Sequence, residues 1–79
     1  MEITVKLKDG RTITMKDTDT LEDSDKGKEI SVFLFNGELY GGIFDGVVED
    51  EAEDLIIKLK RGNHIIGLPL SKIIGWYYG

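Results

Sequence analysis

The feature that most constrains this chain is its punctuation. Asp9-Gly10, Asn36-Gly37 and Gly62-Asn63 interrupt runs of alternating or continuous apolar residues. From residue 29 onward such turn signals recur at intervals of roughly 8–12 residues, the spacing of a small all-β sandwich or barrel. No segment carries a convincing 3.6-residue apolar period, so no helical layer is expected.

The runs between the turns read as strands. In "MEITVKLKDGRTITMK", Ile3, Val5 and Leu7, then Ile13 and Met15, alternate with polar neighbours. Asp9-Gly10 between them is a strong hairpin signal, because both residues accept positive φ. Residues 1–16 are therefore expected to form an amphipathic hairpin. Residues 17–28, "DTDTLEDSDKGK", hold a single apolar residue, Leu21. They cannot bury a face, which predicts a mobile polar loop with at most a short helical turn capped by Asp19 or Thr20.

Residues 29–79 predict five further strands. "ISVFLFN" runs into Asn36-Gly37, and "ELYGGIFDGVVED" is long for one strand, its Gly41, Gly42 and Gly46 suiting a bend or bulge. After the acidic connection "EDEAED", the run "LIIKLK" turns at Arg61-Gly62-Asn63 into "HIIGLP". A short "LSK" link leads to the last strand, "IIGWYY". Internal repeats are absent, and the whole is read as one domain.

A chain of 79 residues buries only about 60% of the surface it exposes when unfolded, which makes stability marginal. Without cysteine, neither disulfides nor thiolate metal sites can add to it, and oligomerisation is the remaining common route. "MEITVKLKDG" lacks the apolar core of a signal peptide, and no stretch approaches the ~20 apolar residues of a membrane span. The expectation is a soluble, cytoplasmic protein. Fifteen acidic against ten basic residues argue against a broad phosphate-tracking surface.

Residues that could carry chemistry are few. His64 has no neighbouring motif that would supply a nucleophile or carboxylate partner, and it reads as a turn-adjacent surface histidine. Glu49, Asp50, Glu51, Glu53 and Asp54 lack the ligand spacing of a calcium loop and read as a solvated acidic connection. No helix N-terminus follows the glycines, so they form no phosphate cradle. Lys58, Lys60 and Arg61, joined by Lys72, are the concentrated cations of residues 29–79. No catalytic constellation, cofactor or metal is expected.

Residues 29–79 resemble the five-stranded small barrel of Sm-like proteins and their Src-homology-3-like structural cousins. The likeness rests on a first strand ending at Asn36-Gly37, a long glycine-bent second strand, two shorter strands, and the "Pro-x-Ser-x-Ile" link at Pro69–Ile73 into a closing strand. It implies a small antiparallel barrel, a single 3₁₀ turn at the link, and subunits joined through strand edges in a ring. Sm proteins that bind uridine-rich RNA carry Asp and Asn in the loop after the second strand and Arg or Lys between the fourth and fifth. Here those loops read "EDEAED" and "GLPLSK". The opening hairpin also resembles that of ubiquitin-type β-grasp proteins, but residues 17–28 lack the apolar stripe of the helix which that fold requires.

The last two strands are apolar on both faces. Ile73, Gly75 and Tyr77 alternate with Ile74, Trp76 and Tyr78, and His64, Ile66 and Leu68 with Ile65, Gly67 and Pro69. A strand of an isolated barrel needs one apolar face, so the second must be covered by the N-terminal hairpin, a sister chain or a ligand. The leading expectation is a non-enzymatic binding or assembly module: a homo-oligomer, or a partner of another protein or peptide, with Ile65, Ile74, Trp76 and Tyr78 as surface anchors. The second, implied by the Sm-like resemblance, is single-stranded RNA or DNA binding through Lys58, Lys60, Arg61 and Lys72, with bases stacked on Tyr40 or Trp76.

Overall fold

A computed structural model describes residues 2–79. Among these residues seven strands are present: β1 (Glu2–Lys6), β2 (Thr12–Lys16), β3 (Glu29–Leu34), β4 (Leu39–Glu49), β5 (Leu55–Arg61), β6 (His64–Pro69) and β7 (Ile73–Tyr78). They form one antiparallel sheet in the order β1-β2-β7-β3-β4-β5-β6. The expected all-β class holds. The sheet is not closed, and the N-terminal hairpin, expected to precede a separate barrel, continues the same sheet by bridging Lys16 of β2 to Trp76 of β7. Among the described residues no helix is long and apolar enough to cross a membrane.

Three of the hairpin loops share one geometry. The residue before each loop donates its N–H to the carbonyl four residues on: Leu7 to Arg11 at 2.7 Å, Leu34 to Glu38 at 2.9 Å, Asp50 to Asp54 at 3.0 Å. The third loop residue is left-handed in each: Gly10 (φ 91°), Gly37 (φ 88°) and Glu53 (φ 64°). Glycine adopts that conformation without steric cost, and the first two loops use it. Asp50 Oδ1 steadies the third by accepting from the amides of Ala52 and Asp54, both at 2.9 Å.

Alternation sorts the core. Ile30, Val32 and Leu34 of β3, Phe44 of β4, Ile57 and Leu59 of β5, Leu68 of β6, and Ile73 and Trp76 of β7 form one buried cluster. Two irregularities shape the sheet around it. In β4 the register shifts between Phe44 and Val47, where buried Gly46 takes φ 101°; this is the bend that the glycines of the strand predict. In β7, Gly75 opposes Phe33 while Ile73 opposes Leu34, which leaves Ile74 as an extra residue. The bulge flips the phase of the strand. Ile73 and Trp76 therefore both face the core, although strict alternation places them on opposite faces.

Pro69 (φ −62°) leads into a single 3₁₀ turn at Leu70–Lys72, as the link pattern implies. Residues 17–28, expected as a mobile polar loop, make defined contacts with the sheet. They hold two 3₁₀ turns, Thr18–Thr20 and Asp23–Asp25. Their far end is tied to β4, with Gly27 N–H donating to the Phe44 carbonyl and Phe44 N–H to the Lys28 carbonyl, each at 2.9 Å.

Candidate interaction surface

The second faces of the two C-terminal strands meet different fates. On β7 the cover is intramolecular. Gly75 is buried beneath the N-terminal hairpin, where a Cβ would stand 2.9 Å from the Lys16 carbonyl oxygen and 3.0 Å from Met15 Cβ. Met15 itself is buried. Next to it, the Trp76 indole N–H reaches the polar loop, donating to the Asp17 carbonyl at 2.9 Å and to Thr20 Oγ1 at 3.0 Å.

This corrects the reading of Trp76 as a surface anchor. The side chain is 1% exposed and spends its polar edge inside the chain, so it is a core residue. Ile74 is half-buried in the bulge. Tyr78 remains 46% exposed, but its hydroxyl donates to Asp25 Oδ1 at 2.7 Å. Its ring meets Trp76 edge-on at 4.9 Å and lies between Lys16 and Lys28, whose ammonium groups stand 4.7 and 5.4 Å from it. The hydroxyl of Tyr78 holds the Asp25 carboxyl below the ordinary aspartate range, helped by the Glu22 amide and Lys28 and opposed by burial. Such a residue clamps a loop.

On β6 the second face stays open. Cross-strand partners share a face of a sheet, and the pairings Ile43–Lys60–Ile65 and Val48–Ile56–Pro69 run across β4, β5 and β6. Ile65 is 55% exposed, and Ile43 and Val48 on β4 are exposed as well, with Lys60 standing between Ile43 and Ile65. Between these rows Lys58 lies opposite Gly67 and pairs with Asp45 at 3.6 Å. The outer face of β4–β5–β6 therefore carries exposed apolar side chains around the Lys58–Asp45 ion pair and the exposed Lys60, and it is bounded by an unpaired strand edge. β6 has a neighbour only in β5. Its edge lacks the charged residues that usually guard such strands.

The cations proposed for nucleic-acid contact do not converge. Lys58 and Lys60 point outward, while Arg61 follows on the opposite face, its Cγ 3.0 Å from where a Cβ of Gly42 would be. Lys72 belongs to the opposite end of the β5–β6 hairpin, where it borders an open hollow of about 250 Å³ with Leu34, Phe35 and Asn36. Tyr40 is half-buried and its hydroxyl donates to Glu38, which raises the phenol above its ordinary range. A second open hollow, about 370 Å³, is lined by Arg61, His64 and Ile66; His64 is exposed at its turn.

Sequence reasoning missed Asp25 and Thr20. Both lie in a stretch of polar residues whose partners are more than fifty positions away, and no local pattern distinguishes them from the neighbouring acids and hydroxyls. What fold and surface together define is a small all-β domain with a largely apolar patch on the outer face of β4–β5–β6 and two sheet edges, β1 and β6, of which the β6 edge carries no charged side chain. No family model, curated protein or solved structure matches the chain.

Proposed function

We propose that this protein is a non-enzymatic binding and assembly module that self-associates through its C-terminal strands, with Ile65 of β6 as the chief anchor. One observation carries the reading. β6 offers a free edge and an uncovered apolar face side by side, and a chain of 79 residues gains stability when both are buried. Residues 29–79 are further read as a small barrel of the Sm-like or Src-homology-3-like kind. Its support is the strand order β7-β3-β4-β5-β6, the bulged β4 shared by β3 and β5, and the 3₁₀ link between β6 and β7.

The test is the mass in solution. Light scattering over a concentration series should rise above the 8.9 kDa of one chain. Ile65→Lys, which places a charge on the edge strand beside Lys60, should hold the mass at one chain. A constant single-chain mass for the unaltered protein at every concentration refutes self-association.

A further inference from the structure

We infer that the partner of β6 is β6 of a second copy, joined antiparallel about a two-fold axis at Ile66; this rests on the self-association reading and gives it a register. Arg61 and His64 flank the two-residue loop Gly62–Asn63, and the closing pair of a two-residue hairpin exchanges its main-chain hydrogen bonds. Antiparallel pairs alternate between bonded and non-bonded. Leu59–Ile66 and Ile57–Leu68 are thus bonded, and Lys60–Ile65, Lys58–Gly67 and Ile56–Pro69 are not. Pro69 checks the assignment independently, because a residue without an N–H suits a non-bonded position.

Ile65 and Gly67 consequently turn both N–H and C=O away from β5, toward the empty edge. The turn bounds this pair on one side, and Pro69, which offers no donor, bounds it on the other. An antiparallel copy centred on Ile66 sets Ile65 against Gly67 of the second chain, and Gly67 against its Ile65. All four donors and all four acceptors are then satisfied. A shift of the centre to Gly67 sets Ile65 against Pro69 and leaves one carbonyl of each chain without a donor.

Side chains and charge agree with that register. Ile65 falls beside Gly67 of the second copy, which has no side chain and over which Ile56 Cγ2 reaches, 2.8 Å from the missing Cβ. Isoleucine meets isoleucine across the glycine. Because β5 also runs antiparallel between copies, the basic Lys60–Arg61 end of each lies on the side of the other's acidic loop, residues 49–54. The arrangement also differs from a head-to-tail ring. Such a ring needs the outer edge of β7, and β2 is already bridged to it at Trp76. The remaining edge, β1, is guarded by Glu2 and Lys6, both exposed.

The experiment uses the absence of native cysteine. At Ile66 the two chains meet as a non-bonded pair, with Cα atoms about 4.5 Å apart, within disulfide reach. Ile66→Cys, oxidised with diamide, should give covalent dimers in high yield at protein concentrations where Thr4→Cys on β1 gives few, and light scattering of the unaltered chain should approach twice 8.9 kDa. Two results overturn the two-fold β6 pairing while leaving self-association standing: a limiting mass well above two chains, or a dimer in which Ile66→Cys cross-links no better than Thr4→Cys. A single-chain mass throughout overturns both, as does saturation of the edge by an extended peptide with no dimer formed.

Discussion

The Trp76 indole N–H and the Asp17 carbonyl oxygen lie 2.9 Å apart across 59 residues of sequence, and Thr20 closes the triangle by donating its hydroxyl to the same carbonyl at 2.5 Å. This contact fastens the polar loop to the core, and through it the end of the N-terminal hairpin. Removing the indole N–H leaves the Asp17 carbonyl and Thr20 Oγ1 each short of a donor, and a part-buried acceptor left so costs more than the net worth of the bond. Trp76→Phe is therefore expected to lower stability by about 1–3 kcal/mol, and Trp76→Ala by about 3–5 kcal/mol through the cavity it leaves. Urea denaturation measures both, and in the native protein the single tryptophan should emit at short wavelength and shift to the red on unfolding.

Asp25 and Tyr78 give stability a dependence on pH at both extremes. The folded Asp25 carboxyl lies below its unfolded value, chiefly because Tyr78 donates to it, so its contribution is present above the unfolded value and is lost as pH falls through the folded one. The folded Tyr78 phenol lies above its unfolded value, chiefly through the same bond; its contribution is present below the unfolded value and is lost as pH rises through the folded one. Tyr78→Phe should thus be less stable than the parent near neutrality, with the difference shrinking toward both acid and alkali. Urea midpoints measured across the range test this, and an offset constant with pH would assign the loss to the ring contacts instead.

The elements of this fold were legible because they are written locally. The apolar runs of β3 and β5, the turn dipeptides and the Pro69 link each need only neighbours within a few residues. The bulge at Ile74 was not legible, since it exists only in the mismatch between β7 and β3. That single residue placed Trp76 in the core and removed one of the four expected anchors. Ile65 was legible because β6 is regular, and its face follows from counting by two. The contacts of residues 17–28 depend on side chains of β7 and on the main chain of β4, both distant in sequence, so a composition rich in charge gave no sign of them.

Gly75 tests whether hairpin and sheet are one unit. A methyl group there would stand 2.9 Å from a main-chain oxygen of Lys16 and 3.0 Å from Met15 Cβ, and neither is the free end of a flexible side chain. Gly75→Ala should push β2 from β7 and lower stability by about 1–3 kcal/mol, the range of overpacked cores. Hydrogen exchange distinguishes the mechanism. Amides of β1 and β2 should lose protection before those of β3, β4 and β5; uniform loss across all seven strands would mean that the hairpin cannot detach alone.

Glu53 stands where Gly10 and Gly37 stand in the two sister loops, and it is the one non-glycine residue with positive φ among those described. A side chain in the left-handed region crowds its own carbonyl at a cost of about 1–2 kcal/mol, which the two hydrogen bonds to Asp50 Oδ1 offset. Glu53→Gly should relieve the crowding and also thin the acidic run, against the extra freedom that glycine gives the unfolded chain. The expected balance is a gain of about 0.5–1 kcal/mol, seen as a higher melting temperature. Gly37→Ala, the converse change at the equivalent place, should lower it by a similar amount. If both variants shift the melting temperature in the same direction, the shared loop geometry is not what sets their stability.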